Sequence, residues 1–204
     1  HLRTRRQRQM CIRDRDRSSF FFFPAKNLRL MPKKYIVLDR DGVINVDLFD
    51  YVLKNEDFKF ENGSLEAILK LYENNFEIIV ATNQKCINLH LISAEGIDQI
   101  NNFWIKQVKE KGGDILHVGV CPHRDEENCN CRKPETGLLV DAEKKLNINL
   151  KGSYFIGDLE CAISHGCKPI LVKTGYGSRT YKSHYPKESM IFENLKSAVD
   201  WIVN

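Results

Sequence analysis

The sequence predicts an α/β fold: a three-layer, Rossmann-like parallel sheet with helices on both faces and a zinc-binding loop. From residue 31 onward, short apolar runs alternate with amphipathic helical patterns, and the apolar runs contain few polar residues. Such runs are typical of parallel strands that are buried on both faces. Three of the seven cysteines fall within the stretch CPHRDEENCNC. That density favours a metal site in a reducing compartment over a disulfide framework.

Apolar runs bounded by polar or glycine residues predict the strands. In order they are residues 35–38, FEIIVATN, DILHVGV, SYFIGD and PILVKTG, with MIF as a short edge strand.

Residues at helical spacing predict the helices between these strands. Ser64 is the candidate N-cap of the first helix and Ser93 that of the second. The third helix covers residues 136–146. The apolar positions are Leu65, Ile68, Leu69 and Tyr72 in the first helix, Ile97, Ile100, Trp104 and Val108 in the second, and Leu195, Ala198, Val199 and Ile202 in the last.

Charge is distributed unevenly along the chain. The 204 residues carry a formal net charge of +4, but the basic excess lies before residue 31 and the remainder is mildly acidic. We therefore expect neither a nucleic-acid partner nor a membrane partner. The length of the chain suits one domain with a sizeable core.

Residues 1–30 are interpreted as a non-native or disordered extension that precedes a single domain over 31–204. The extension is basic, lacks apolar periodicity, and contains a phenylalanine run that is too short for a signal peptide or a membrane span. Met31 is the expected natural start, with a genuine basic arm as the alternative. Without an export signal, we predict a cytoplasmic protein.

Polar side chains follow four of the predicted strands. They are Asp39 and Asp41 after the first, Thr82 and Asn83 after the second, Cys121 and His123 after the third, and Asp158 after the fourth. In parallel sheets, ligands bind beyond the carboxyl ends of the strands. The sequence therefore predicts that one edge of the sheet carries the chemistry.

Asp39 and Asp41 are two residues apart, so in an extended segment their carboxylates share a face. Such a pair can bind Mg²⁺, supply a nucleophile towards phosphorus, and act as a general acid and base. A solvated turn is the alternative for an isolated D-x-D. The polar residues at the other strand ends argue against it.

The stretch CPHRDEENCNC offers three thiolates and one imidazole, a set typical of closed, structural zinc sites. The candidate ligands are Cys121, His123, Cys129 and Cys131. Zinc here would hold a hydrophilic loop that lacks a core, and would fix Arg132 and Lys133 beside the last ligand.

Four motifs in this order resemble the haloacid dehalogenase superfamily of phosphotransferases: LDRDGVIN, ATNQ, CPHRDEENCNCRKP and YFIGD. More narrowly, they resemble the branch of heptose 1,7-bisphosphate phosphatases and histidinol phosphatases. The resemblance covers residues 33–204.

The resemblance implies a role for each motif. Asp39 would form an aspartyl-phosphate, and Asp41 would protonate the leaving alcohol and then activate water. Asp39, Asp41 through its backbone carbonyl, and Asp158 would bind Mg²⁺. Thr82 and Lys133 would stabilise the transferring phosphoryl group. The residues expected to bind substrate are Asp47, Tyr51, Asn83, Gln84 and Arg132.

The implied protein is a monomeric, Mg²⁺-dependent phosphatase with structural zinc, acting on a small phosphorylated sugar or metabolite. The preferred substrate is the 7-phosphate of D-glycero-D-manno-heptose 1,7-bisphosphate, in lipopolysaccharide precursor synthesis. Histidinol phosphate is the alternative substrate, and a catalytically impaired phosphosugar-binding relative is the alternative from another functional class.

Two segments depart from the family pattern. The second motif usually reads TNQSGIxRG, but here it is TNQKCINLH, so Lys85 replaces a serine and His90 a glycine. The last motif usually carries two acidic residues, as in GDxxxD. Here GDLECAISHGCKP runs from Asp158 directly towards a helix, and the loop is about four residues short. A working shortened loop, an impaired enzyme and a damaged sequence all remain open.

The remaining histidines and cysteines are interpreted as structural or surface residues. They are His90, His117, His165, His184, Cys86, Cys161 and Cys167.

Overall fold

A six-stranded sheet organises the chain, with the strand order β3-β2-β1-β4-β5-β6 and every pairing parallel. The computed structural model describes residues 33–204, so the interpretation of residues 1–30 lies outside the described part. The strands are β1 (Lys34–Leu38), β2 (Phe76–Asn83), β3 (His117–Cys121), β4 (Tyr154–Ile156), β5 (Lys168–Val172) and β6 (Met190–Phe192).

Helices connect the strands and cover both faces of the sheet. They are α1 (Ser64–Glu73), α2 (Ala94–Glu110), α3 (Gly137–Leu146), α4 (Leu159–His165), α5 (Gly177–Ser183) and α6 (Leu195–Val203). Short 3₁₀ turns occur at Asn55–Asp57 and Asp125–Glu127. Among the described residues, no helix has the length and apolar character needed to cross a bilayer.

Two apolar cores lie on opposite faces of the sheet, which confirms the predicted three layers. Ile36 and Leu38 of β1 pack with residues of α1, α2 and α6, whereas Val37 between them packs with residues of α3 and α4. Side chains alternate across a strand. Each strand therefore needs apolar residues at consecutive positions, as the sequence pattern predicted.

The second helix matches its prediction closely. The Ser93 hydroxyl accepts a hydrogen bond from the Gly96 backbone N–H at 3.1 Å, and the four predicted apolar positions of α2 are buried. The cap satisfies one of the unpaired N–H groups of the first turn.

Two expectations for α1 are wrong. Gly63, with φ +77°, is the N-cap, and Ser64 is a buried helical residue whose hydroxyl donates to the Ile44 carbonyl at 2.6 Å. Tyr72 is 42% exposed because α1 packs on the sheet through Ala67, Ile68 and Leu71. The sequence also gave no sign of α5, whose residues GSRTYKS form no apolar face.

Strand order and direction bring the predicted chemistry to one edge. β1 lies between β2 and β4, with Leu38 opposite Val80 and Ile156. The carboxyl ends of parallel strands meet at one edge of a sheet. The aspartates that follow β1 therefore lie between the β2 end and the β4 end, as expected.

Candidate active site

Asp39 is fixed by its backbone at the central strand end. Its N–H donates to the Ile156 carbonyl at 2.9 Å, which extends the sheet pairing by one residue. Gly157 follows β4 and lies directly against it. A Cβ at Gly157 would lie 2.6 Å from the Asp39 Cβ, and the φ of Gly157 is +144°. Only glycine allows this approach, so the GD motif belongs to the geometry of the Asp39 site.

Lys133 forms an ion pair with Asp39. Its Nζ lies 2.5 Å from Asp39 Oδ2, and its side chain is 3% exposed. Burial raises the pKa of Asp39, while the charge and hydrogen bond of Lys133 oppose that rise. The Arg40 N–H donates to the other oxygen, Oδ1, at 2.7 Å.

Asp41 has the opposite electrostatic environment. Burial alone would raise its pKa, but the Arg40 charge and hydrogen bonds from Asn45, Arg40 and Gln84 bring the pKa below its usual value. Arg40 Nη2 lies 3.0 and 3.1 Å from the two carboxylate oxygens of Asp41. Asn45 Nδ2 and Gln84 Nε2 donate at 2.9 and 2.7 Å. Asp41 is therefore held as the ion.

Arg40 and Asn45 were missed at the sequence level. Both are buried, at 1% and 0% exposure, and both bond Asp41. A signal existed for Arg40, because an arginine two residues after an apolar run needs an anion to pair with if it is buried. Asn45 ends the motif LDRDGVIN, but the sequence indicated no role for it.

Two residues at the β2 end, Asn83 and Gln84, were predicted to bind substrate. Both line the cavity described below, and their amides are also engaged within the protein. The Asn83 amide donates to the Lys133 carbonyl and accepts from the Lys133 N–H, both at 3.0 Å. Gln84 Nε2 donates to Thr82 Oγ1 at 2.8 Å as well as to Asp41. These side chains position Lys133, Thr82 and Asp41.

The predicted substrate residues line one cavity. Its volume is about 510 Å³, within the range of small-molecule sites. Asp47 accepts a hydrogen bond from the Phe49 N–H at 2.8 Å, and Tyr51 packs partly against the core. The residues that line the cavity include Asp39, Asp41, Asp47, Tyr51, Thr82, Asn83, Gln84, Lys85, Arg132, Lys133, Asp158 and Tyr176.

Asp158 caps a helix within the site. Its Oδ1 accepts from the Cys161 N–H at 2.8 Å, and α4 begins at the next residue. Among the described residues, no hydrogen-bond donor reaches Oδ2. Asp158 lines the cavity together with Asp39 and Asp41.

These three carboxylates suit a hard divalent cation such as Mg²⁺. Arg40 and Lys133 are the cations bonded to them. Three carboxylates against two cations leave one negative charge uncompensated. Separately, burial raises the pKa of Asp39. The residues present therefore fit the cation that the resemblance implies.

Cys121, His123, Cys129 and Cys131 form one cluster, as predicted. Their ligand atoms lie within 4.8 Å of one another, and the sulfur–sulfur distances are 3.2 to 3.7 Å. Zn–S bonds of about 2.3 Å place tetrahedral sulfurs roughly 3.8 Å apart, far beyond a disulfide bond. The cluster therefore fits a structural zinc ion.

The cluster fixes the loop that approaches the active site. The Arg132 N–H donates to Cys129 Sγ at 3.3 Å, and Arg132 Nη1 donates to the His123 carbonyl at 3.2 Å. Burial raises the pKa of Cys129, but hydrogen bonds from the Arg132 N–H and from Cys131 bring it down to about 7. A thiolate is therefore accessible near neutral pH.

The altered second motif keeps its backbone course. His90, at the position where the family carries a glycine, adopts a φ of +57°, the left-handed conformation that glycine favours. Asn88 Nδ2 donates to Glu127 Oε2 at 2.8 Å, and Lys85 pairs with Asp125 at 3.0 Å. Both contacts tie this segment to the zinc-binding loop.

Comparison with known proteins identifies the family. A heptose 1,7-bisphosphate 7-phosphatase from Pseudomonas putida, named for the β-anomer, is 37% identical over 166 residues, which are 79% of this chain and 95% of that protein. The chain belongs to the haloacid dehalogenase superfamily of hydrolases. A HAD-hydrolase-like family model also matches residues 130–198.

Other haloacid dehalogenase relatives agree in sequence and in structure. A phosphatase from Photorhabdus laumondii, named for the α-anomer, is 34% identical and covers 79% of this chain and 91% of its own length. The crystal structure of D,D-heptose 1,7-bisphosphate phosphatase from Bordetella bronchiseptica with magnesium and phosphate is 30% identical. Its TM-score is 0.79 over 83% of this chain and 97% of its own. The resemblance drawn from the sequence is confirmed.

We predict about one zinc ion per chain, released only with loss of stability, because zinc-ligand bonds contribute directly to folding. Elemental analysis and thermal melting with and without a chelator test this. Cys129→Ser should lose the zinc, whereas Cys86→Ala, outside the cluster, should retain it. A well-folded protein without zinc and with unchanged melting would refute the structural role.

For Asp158, we predict that mutation can separate two roles, capping of α4 by one carboxylate oxygen and binding of Mg²⁺ by the other. Asp158→Asn keeps an oxygen that can cap α4 but removes the charge, so Mg²⁺ affinity should fall at least about tenfold while metal-free stability is nearly unchanged. Asp158→Ala should also lower the free energy of unfolding by about 1 kcal/mol. The readout is the melting temperature during a Mg²⁺ titration. An unchanged titration midpoint for Asp158→Asn would exclude Asp158 as a Mg²⁺ ligand.

Proposed function

We propose that this chain is a Mg²⁺-dependent phosphatase that hydrolyses the 7-phosphate of D-glycero-D-manno-heptose 1,7-bisphosphate. The observation that carries the proposal is the unequal pair at the end of β1. Asp39 lies against Lys133 at the cavity floor, and Asp41 is held ionised by Arg40. Relatives that match this chain over nearly their full length are named for this reaction.

Asp39 is the nucleophile in the proposed mechanism. Its carboxylate forms a bond to phosphorus while the ester P–O bond breaks. Asp41 is the ion in the free site, so it must take up a proton when the substrate binds, and it gives that proton to the departing sugar oxygen. Water then attacks the aspartyl-phosphate and returns a proton to Asp41. Phosphate leaves, and Asp39 is regenerated as the carboxylate.

The surrounding residues supply charge and hydrogen bonds. In this proposal, Lys133 and the Thr82 hydroxyl stabilise the transferring phosphoryl group. Mg²⁺ would be held by Asp39, Asp158 and the Asp41 carbonyl, and when bound it offsets the repulsion between Asp39 and an anionic phosphate. Because Arg40 lowers the pKa of Asp41, it favours the base form that activates water.

The rest of the cavity binds the sugar in this proposal. Arg132, Asp47 and Tyr51 line it beyond the aspartates and offer charged and hydroxyl groups to the substrate. Both anomers occur in the names of the relatives. The proposed context is lipopolysaccharide precursor synthesis, and cytoplasmic location and a monomeric state remain predictions.

A catalytically impaired phosphosugar-binding protein is the second candidate, and one observation favours it. Asp158 has one oxygen committed to its helix, and the loop that carries a second acidic residue in the family is shortened. Asp39 and Asp41 favour the enzyme, since a binding protein needs no nucleophile.

We predict that Asp39→Asn lowers turnover at least about a thousandfold without unfolding the protein, because the amide cannot form the phosphoryl bond. Phosphate release from heptose 1,7-bisphosphate and from histidinol phosphate would be measured side by side on the zinc-loaded full chain with Mg²⁺. Asp98→Asn on the exposed side of α2 is the matched control and should keep full activity. Normal turnover by Asp39→Asn would exclude the nucleophile. No turnover of either substrate by the wild type would support the impaired relative.

A further inference from the structure

Lys85 and Arg132 bind the same carboxylate at one wall of the cavity. Lys85 Nζ lies 3.0 Å from Asp125 Oδ2, and Arg132 Nε lies 2.5 Å from Asp125 Oδ1. Both cations line the cavity that contains Asp39, whereas Asp125 is not among its lining residues. The two cations therefore border the space that the substrate would occupy.

This trio carries an uncompensated positive charge. Two cations share one carboxylate, and the side chain of Asp125 is 64% exposed. Exposed ion pairs contribute little to stability, so an anion entering the cavity can compete with Asp125 for both cations at small cost.

Because both cations lie on one side of the cavity, its two sides differ in charge. Lys85 follows β2 and Arg132 follows the zinc ligands after β3, so both lie on the β2–β3 side of Asp39. Asp47 lies on the β5 side, since a Cβ on Gly175 would lie 3.0 Å from Asp47 Cβ. One side of the cavity therefore favours anions, and the other offers a carboxylate to sugar hydroxyls.

We propose that Lys85 is a specificity-determining residue that, together with Arg132, binds the second phosphate of a bisphosphate substrate. The inference rests on the proposed phosphatase function and assigns residues of this chain to the phosphate that is not hydrolysed. A dianion at this position gains two charge-assisted hydrogen bonds. An amino-alcohol phosphate such as histidinol phosphate has no second anion to place there.

A purely structural role for Lys85 makes a different prediction. If Lys85 only ties the second-motif segment to the zinc-binding loop through Asp125, either partner's removal breaks the same contact. Asp125→Asn would then reproduce the effect of Lys85→Ala. If Lys85 binds phosphate, Asp125→Asn leaves both cations in place and does not raise the KM for a bisphosphate.

The test compares heptose 1,7-bisphosphate with heptose 7-phosphate on the zinc-loaded full chain. Lys85→Ala should raise the KM for the bisphosphate about tenfold and that for the monophosphate less than about twofold, as expected for one charge-assisted hydrogen bond. Lys85→Arg should restore most of the loss. Added salt should raise the bisphosphate KM more in the wild type than in Lys85→Ala. Lys196→Ala, which removes an exposed lysine paired with Asp200 on α6, is the matched control and should change neither KM.

Two results would overturn the assignment. One is an equal loss for both substrates in Lys85→Ala, and the other is the same loss in Asp125→Asn. If the wild type hydrolyses histidinol phosphate in preference to both sugars and Lys85→Ala leaves that rate intact, the second-phosphate site is excluded while the phosphatase stands. Failure of the wild type on all three substrates would overturn the proposed function and this assignment together.

Discussion

The ion pair between Asp39 and Lys133 is the contact on which the site depends. The Lys133 side chain is 3% exposed and that of Asp39 is 23% exposed, so Lys133 without Asp39 would be an unpaired buried charge, which costs several kcal/mol. Lys133 reaches Asp39 from a segment without its own core. Asn83 holds the Lys133 backbone through two hydrogen bonds, and the thiol–imidazole cluster holds the residues before it. The end of β2 and the metal-binding loop therefore both help to position the Lys133 side chain.

Asp39 and Asp41 are chemically identical side chains that the fold makes different. Asp39 pairs with Lys133, but burial has the larger effect, so its pKa rises. Asp41 receives a fully buried guanidinium and two amides, so its pKa falls. In many active sites the carboxyl with the raised pKa is the acid of such a pair. The nucleophilic role proposed for Asp39 therefore requires that Lys133 and, when bound, Mg²⁺ favour its ionised form. The two pKa values differ because the Arg40 guanidinium bonds the carboxylate of Asp41 and not that of Asp39.

The sequence predicted what depends on local pattern and missed what depends on distant contacts. Strands and the α2 cap follow from apolar runs and from Ser93, both readable within a few residues. Ser64 looked like the same kind of cap, yet a carbonyl twenty residues away takes its hydroxyl. Asn83 was predicted to bind substrate, and the structure adds a role that the sequence did not indicate, because its amide also bonds the Lys133 backbone. A polar side chain at a strand end can face the substrate or support a neighbour, and only the tertiary structure separates the two.

The short connection after Asp158 has a physical consequence that the sequence alone leaves open. Because α4 starts at once, the helix fixes one oxygen of Asp158 and thereby the direction of the other. A longer loop could add a second carboxylate, and with it more affinity for a cation and more repulsion of an anionic substrate. With three carboxylates against Arg40 and Lys133, a divalent cation leaves the centre with a net positive charge. Mg²⁺ commonly completes its coordination with substrate phosphate and water. We therefore expect the shortened site to depend more on the phosphate for binding its metal, and the phosphate site proposed at Lys85 and Arg132 would keep an anionic substrate near it.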